Sequence, residues 1–215
     1  MDFVAQLRSK NNLWNLPNLL TLLRIFLVPV MAVLLAFDSD QPPFDQDWMF
    51  RYSPGRLATL VLSLMGLTDL LDGWLARRWK TESLLGKFLD PLADKLVLMV
   101  GLIMLLELGR VSAWLVIVLL SREFLVTGLR GIAVGEGLVI AAGRAGKLKL
   151  IFQMVGLGFL MWYGSAFNLP AVKVGTVILY IALLISVFSG LQYLADFFRA
   201  LKKHRAIQSP ELRSR

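Results

Sequence analysis

The sequence predicts an all-α integral membrane protein, with six transmembrane helices around a cytoplasm-facing polar cavity. Three observations lead there. Hydrophobic residues fill 57% of the 215 positions, above the roughly 45–50% apolar content of a soluble domain. They gather into six runs, 17–37, 56–76, 91–109, 111–132, 147–166 and 171–195, each near the ~20 residues a helix needs to cross a hydrocarbon core. Within or beside two of these runs stand four aspartates, Asp69, Asp72, Asp90 and Asp94, where a bare carboxylate costs on the order of a few kcal/mol.

Helices are the expected element throughout, because lipid cannot satisfy the open edge of a strand. Before the first run, residues 2–14 place Phe3, Val4, Leu7 and Trp14 among polar neighbours, as a short interfacial helix or a frayed terminus would. The first run is too long for a signal peptide, and no small-residue cleavage site follows it. Pro42, Pro43 and Pro54 mark a loop before the second run. The second and third runs are joined by the charged stretch 77–90, a short connection that makes their helices antiparallel. The fourth carries Arg122 and Glu123 in its middle. Residues 1–200 read as one membrane domain and 201–215 as a basic, loosely held cytoplasmic tail.

Charge assigns the sides. The N-terminus, the 77–90 loop, the 130–149 segment and the residues after 195 hold 16 Lys and Arg residues, whereas the opposite loops hold only Arg51, Arg56, Arg110 and Lys173. The 38–47 loop carries Asp38, Asp40, Asp45 and Asp47 instead. This asymmetry places both termini in the cytoplasm and makes the chain a multi-pass protein of the cytoplasmic (inner) membrane. The net charge of +8 then meets anionic headgroups of the membrane lipids. Nucleic acid is not an expected partner, since no basic and aromatic residues interleave along an exposed groove. With no cysteine and a single histidine, His204 in the basic tail, thiolate chemistry, Cys-ligated metals and Ser-His catalysis lack their materials.

The four aspartates lie in "DLLDGWLARRWKTESLLGKFLDPLADK", residues 69–95. At 100° per residue Asp69, Asp72, Gly73, Ala76 and Arg77 share one arc of a helix, with Leu70, Leu71, Trp74 and Leu75 opposite. Gly86, Asp90 and Asp94 recur every four residues on the next helix. Pro91 puts Asp90 at a kink or at the helix N-cap. A single aspartate here would be read as paired with Arg77, Arg78, Lys87 or Lys95. Four on converging faces, with small residues between them, read as a site. Crowded carboxylates require protonation, basic partners or divalent cations. All-oxygen ligands suit hard ions such as Mg²⁺, Mn²⁺ or Ca²⁺, and two such ions could act on phosphates.

The pattern D-x2-D-G-x2-A-R-x8-G-x3-D-x3-D, met here by Asp69, Asp72, Gly73, Ala76, Arg77, Gly86, Asp90 and Asp94, resembles the signature of the CDP-alcohol phosphotransferases, membrane enzymes of six transmembrane helices. The resemblance implies transfer of a phosphatidyl group from a cytidine diphosphate donor, CDP-diacylglycerol, to an alcohol, with release of CMP. It implies two divalent cations, Mg²⁺ or Mn²⁺, held by Asp69, Asp72, Asp90 and Asp94, with Asp94 also the general base. It assigns the donor's cytidine diphosphate to Asp69, Asp72, Gly73, Ala76, Arg77 and Gly86. "NLPNLLTLLRIFLVP", "SREFLVTGLR", "GKLKLIFQMVGL" and "GLQYL" resemble the phosphatidylglycerophosphate synthases within that family, whose acceptor is sn-glycerol 3-phosphate. Together these stretches cover residues 12–198. Relatives commonly form dimers, so the resemblance also implies a homodimer.

A phosphorylated acceptor needs further cations. Arg122 and Arg130 lie 80° apart around one helix and two turns along it, so both could face one cavity. The alternative for Arg122 is a packing pair with Glu123, and for Arg130, Lys147 and Lys149 it is snorkelling to the interface. Lys147 and Lys149 diverge by 200° on a helix, so their joint use rests on the resemblance. These four are the expected glycerol-phosphate cradle. Asn18, Thr21 and Arg24 share a polar arc on the first helix, either as interfacial anchors or as the rim of the same cavity. Rival readings keep the chemistry but change the acceptor to inositol phosphate, phosphatidylglycerol or serine. A divalent-cation channel or carrier is a different class. It leaves Gly73, Ala76 and Arg77 without purpose, and the acidic cluster has no counterpart in an inverted repeat.

Overall fold

The computed structural model describes residues 16–38, 53–79, 84–138, 144–162, 165–166 and 169–212. Among these, six helices follow one another: α1 (Leu16–Ala36), α2 (Pro54–Trp79), α3 (Leu84–Glu107), α4 (Ala113–Gly135), α5 (Arg144–Trp162) and α6 (Ala171–Leu212). A two-residue antiparallel pairing, β1 (Ser165–Ala166) with β2 (Leu169–Pro170), joins α5 to α6. The fold is all-α, as the apolar runs predict.

Most helix bounds fall within a few residues of those runs, and two differences are informative. α3 starts at Leu84, so Asp90 and Pro91 lie inside it and Asp90 is not an N-cap. The proline supplies no N–H to the carbonyl four residues back, yet the helix continues through it. α6 extends to Leu212, so the chain after Leu201 prolongs the last helix instead of leaving it as a loose tail. The expected interfacial segment 2–14 lies outside the described residues.

Glycine ends both α3 and α4. Gly109 and Gly137 take φ of 69° and 68°, the left-handed conformation open to a residue without Cβ. Arg110 N–H then reaches back to the Leu105 carbonyl and Gly109 N–H to Leu106. Leu138 and Gly137 do the same to Ala133 and Val134. This double closure satisfies carbonyls that a helix end would otherwise leave bare.

Polarity is distributed as a membrane requires. On α1 the buried face reads Asn18, Thr21, Arg24, Val28, Met31 and Leu35, while Leu19, Leu22, Leu23, Phe26 and Val33 are exposed. Polar side chains turn inward and large apolar ones turn out, the reverse of a soluble helix. Among the described residues three stretches are long and apolar enough to cross a membrane: Asn18–Ala36, Pro54–Leu71 and Ala171–Lys202. α5 contributes a shorter apolar stretch, Leu148–Trp162. In α3 and α4 the apolar sequence is interrupted by Asp90, Asp94 and Lys95 and by Arg122, Glu123 and Arg130.

The chain divides into two compact units, Met1–Val111 with Met154–Thr176, and Ser112–Gln153 with Val177–Arg215. In the first unit α1 packs on both α2 and α3, burying Met31, Leu35, Ala58, Met65, Val97 and Leu102. Leu157, Leu160 and Met161 of α5 complete this core. One edge of it is polar. Arg110 Nη1 lies 2.9 Å from Asp38 Oδ2, with both side chains buried, and donates to the Leu160 carbonyl at 3.4 Å. Ser53 Oγ donates to Asp38 Oδ1, and the Arg56 guanidinium sits 5.3 Å from the Trp162 ring centre. Asp38 and Arg110 are therefore a buried ion pair and not loop charges. Each sign loses one member, which leaves the basic asymmetry between the loops intact. In the second unit Leu115, Val116, Leu119 and Ala133 of α4 are buried, as are Leu179, Ala182, Tyr193 and Phe197 of α6.

Gly55, in the first turn of α2, is where this packing is tightest. A Cβ there would lie 2.3 Å from the Met161 carbonyl oxygen and 2.4 Å from Asp38 Oδ2. Gly66, three turns along, has nothing within 4 Å of its Cβ position. Gly55→Ala is expected to lower stability by about 1–3 kcal/mol through overpacking. Gly66→Ala is expected to be neutral or to add up to about 1 kcal/mol of helix stability. Thermal unfolding of both variants in detergent micelles measures the difference.

Candidate functional site

The acidic site is built by α1, α2 and α3. α1 brings a buried polar stripe, with Asn18, Thr21 and Arg24 each 1–2% exposed. Arg24 Nη1 lies 2.8 Å from Asp69 Oδ1 on α2 and 3.2 Å from Asp94 Oδ1 on α3. One nitrogen thus touches a carboxylate from each neighbouring helix. Thr21, one turn before Arg24, donates its hydroxyl to Asp90 Oδ1 at 2.6 Å. The side chains of Asp69 and Asp94 keep 37% and 26% of their surface open, against 2% for Arg24. The cation is at the bottom of the site, and the carboxylates are nearer its opening.

The aspartates expected to converge do so where their side chains are described. Asp69, Asp90 and Asp94 all contact the α1 stripe. Gly73 is half-buried and Gly86 buried on the same two helices. The side chains of Asp72, Ala76 and Arg77 lie outside the described residues. Thr21 and Arg24 are buried partners of the acidic group and Asn18 is buried on the same helix, so the reading of them as surface anchors is set aside.

The donor set suits a divalent cation in kind, since all its ligand atoms are carboxylate oxygens, the hard donors that Mg²⁺ and Mn²⁺ take. Asp69 and Asp94 already converge on one positive centre, the Arg24 guanidinium. On those two counts the residues fit. Among the described side chains no three acidic groups close on a single point, and Asp72 is not among them.

The second unit holds a basic cluster. Arg122 Nε donates to the Ser186 carbonyl at 2.7 Å and Nη2 to Ser189 Oγ at 2.6 Å. Its Nη1 lies 3.3 Å from Glu123 Oε2. Lys149, itself buried, pairs with the same Glu123 oxygen. Arg130 stands exposed with its guanidinium 5.8 Å from the Tyr193 ring centre, within cation–π range. The Lys147 side chain lies outside the described residues. Arg122 does pair with Glu123, but that pair does not account for it, because the carboxylate is shared with Lys149 and the fork is anchored on α6.

The sequence reading names no α6 residue as part of this cluster, although "GLQYL" holds Gly190 and Tyr193. Ser186, Ser189, Gly190 and Tyr193 recur at helical spacing on an otherwise apolar helix, and a small and polar stripe of that kind marks a close helix contact. Gly190 has a specific reason to lack a side chain, since a Cβ there would lie 3.0 Å from Arg122 Nε. Gln153, one turn beyond Lys149 on α5, is fully buried.

The family model described as CDP-alcohol phosphatidyltransferase matches residues 14–188. A protein of Bacillus subtilis (strain 168) is 36% identical over 193 residues, 88% of this chain and 98% of that relative. One of Haemophilus influenzae is 33% identical over 187 residues, covering 84% of this chain and 92% of the relative. One of Rickettsia felis is 33% identical over 191 residues, with 88% and 97% covered. Each of the three is named CDP-diacylglycerol–glycerol-3-phosphate 3-phosphatidyltransferase.

Removing Arg24 tests the geometry of the acidic site. Arg24→Gln keeps polarity and approximate size but leaves Asp69 and Asp94 facing each other without their shared cation. Taking one partner from a fully buried ion pair costs about 3–5 kcal/mol, and the partial exposure of Asp69 and Asp94 places the loss here below that range. The unfolding midpoint in chelator should therefore fall well below that of the parent protein, and saturating Mg²⁺ or Mn²⁺ should restore more of it in the variant than in the parent. An unchanged midpoint in chelator would show that Arg24 does not hold the site together.

Proposed function

The chain belongs to the CDP-alcohol phosphatidyltransferase family, and we propose that it transfers the phosphatidyl group of CDP-diacylglycerol to sn-glycerol 3-phosphate, giving phosphatidylglycerol phosphate and CMP. The observation that carries the choice of acceptor is the basic cluster. Arg122, Lys149 and Arg130 are three cations in one unit, with Glu123 the one carboxylate paired to them there among the described residues. Arg122 and Lys149, both largely withdrawn from solvent, share one Glu123 oxygen, and cations that outnumber their carboxylate call for an anion, which an acceptor that carries its own phosphate supplies. Serine, a zwitterion whose carboxylate is offset by its own ammonium, brings no net negative charge, and phosphatidylglycerol would bring a diester of lower charge. The relatives' shared name favours glycerol phosphate over inositol phosphate.

In this reading Asp69, Asp72, Asp90 and Asp94 hold two divalent cations, Mg²⁺ or Mn²⁺, which when bound offset the charge of the donor pyrophosphate and of the departing CMP. Gly73, Ala76 and Gly86 leave room for the cytidine diphosphate backbone to approach the helices, and Arg77 is in helical phase with the aspartates to meet a phosphate. Arg24 fixes the rotamers of Asp69 and Asp94, and Thr21 fixes that of Asp90. A hydroxyl of glycerol 3-phosphate attacks the lipid-linked phosphorus, the phosphoanhydride bond to CMP breaks, and Asp94 takes the hydroxyl proton. Arg122 presents a planar fork to the acceptor phosphate, and Arg130, Lys147 and Lys149 add point or fork charges around it. The protein is a multi-pass homodimer of the cytoplasmic membrane, with both termini and the active site on the cytoplasmic side, where its water-soluble substrate is found.

Purified protein with Mg²⁺ or Mn²⁺ and CDP-diacylglycerol is expected to release CMP when glycerol 3-phosphate is added. CMP release with inositol phosphate or phosphatidylglycerol alone would reassign the acceptor, and cation flux in proteoliposomes without CMP release would overturn the enzyme. Arg122→Lys keeps the charge but loses the fork, and should raise the KM for glycerol 3-phosphate about tenfold or more while leaving that for CDP-diacylglycerol within a factor of about two. Asp94→Asn should abolish turnover, by at least about 10³-fold, and leave nucleotide binding measurable by calorimetry. Equal loss of both would remove Asp94 from the role of base.

A further inference from the structure

Gln153 has no exposed surface, and neither its amide nitrogen nor its amide oxygen has a hydrogen-bond partner among the described residues. A buried polar group left in that state costs about 1–3 kcal/mol, and native proteins rarely retain one without a purpose. The penalty is harder still to escape in a helix as apolar as α5, where lipid offers no substitute partner. Gln153 lies four residues after Lys149 and so on the same face of α5. Lys149 is tied through Glu123 to Arg122. Ser186 Oγ and the Tyr193 hydroxyl, in the same unit, are buried and likewise lack partners among the described residues. The Ser186 carbonyl accepts from Arg122, and the Tyr193 ring lies beneath Arg130. Every residue of the basic cluster on α5 or α6 therefore has an unsatisfied polar atom on itself or one helical turn away.

We propose that Gln153 recognises the hydroxyl groups of the acceptor, as the specificity residue of the site whose cations take the acceptor phosphate. The inference rests on the reading of that cluster as the acceptor site. Once a phosphate engages Arg122 and Lys149, a small polyol phosphate has only hydroxyls left to place, and each needs one donor and one acceptor. A primary amide offers both in one plane. Its N–H₂ donates to one hydroxyl oxygen while its carbonyl oxygen accepts from a neighbouring hydroxyl, which matches a vicinal diol. A leucine at this position would fill the same volume without any unsatisfied atom, so folding alone gives no reason for the amide. A site that hydrogen-bonds a substrate hydroxyl rejects the analogue lacking it, because the protein's own groups are then left bare.

The test compares glycerol 3-phosphate with propane-1,3-diol monophosphate, which lacks the middle hydroxyl, in the full-length protein and in Gln153→Leu. The parent protein should prefer glycerol 3-phosphate in kcat/KM by about 30- to 100-fold. In Gln153→Leu that ratio should collapse to within about threefold, through loss on glycerol 3-phosphate. The unfolding midpoint of the variant without acceptor should equal or exceed that of the parent, since an unsatisfied pair of atoms has been removed. A ratio that survives the substitution would overturn the proposal, and so would a lowered midpoint with both acceptors impaired alike, which marks a structural glutamine. Midpoint shifts produced by each acceptor read the subsite without turnover. A shift by glycerol 3-phosphate that exceeds the shift by the diol phosphate only when Gln153 is present, without CMP release from either, would keep the subsite and refute the reaction. CMP release with an unaltered preference would do the reverse.

Discussion

Arg24 is the interaction on which the rest depends. Two carboxylates from different helices meet one guanidinium nitrogen at 2.8 and 3.2 Å, at a depth where neither sign of charge is cheap alone. Separately, each of these groups would oppose insertion of its helix into lipid. Together they form a contact that only the assembled trio of α1, α2 and α3 can make, so the charge that threatens each helix specifies how the three associate. The Thr21–Asp90 hydrogen bond repeats the same logic one turn away. Association in lipid cannot draw on the hydrophobic effect between helices, and specific polar contacts and close packing replace it.

The second unit solves the same problem with opposite charges. Arg122 is anchored by a carbonyl, a hydroxyl and a carboxylate, and Gly190 leaves the space in which its stem lies. Lys149 shares the carboxylate. Arg24 pairs with carboxylates of the acidic group and Glu123 with cations of the basic group, so each site gathers like charges around a group of opposite sign. Gathering like charges is unfavourable for folding and is retained where a ligand of opposite charge completes the site. A cation-loaded pyrophosphate and a phosphorylated alcohol are ligands of those two kinds.

Much of this was legible in the sequence, for reasons that can be stated residue by residue. Six apolar runs of spanning length left helix as the available element, and the six described helices follow them closely. The spacing of Asp69, Asp90 and Asp94 placed them on facing stripes by helical phase alone. The limits were equally physical. Pro91 suggested a helix boundary at Asp90, but packing on α1 carries α3 through it. Asp38 and Arg110 looked like loop charges because their partners are 72 residues apart in sequence. The polar stripe on α1 was visible, but whether it served as an anchor or as a lining depended on what stood opposite.

Periodicity, charge and residue spacing thus determined the membrane class, the number and order of helices, and which faces carry carboxylates. These properties are local, because a residue's helical phase and the cost of placing it in lipid do not depend on distant partners. Only the tertiary structure decided which opposite charge meets which, that Arg24 is the shared partner of Asp69 and Asp94, and that Ser186, Ser189 and Gly190 accommodate Arg122. It alone also revealed that Gln153 is buried with both amide atoms unpaired among the described residues. Pairing and its absence are properties of two surfaces brought together, and no single helix carries the information of what it will face.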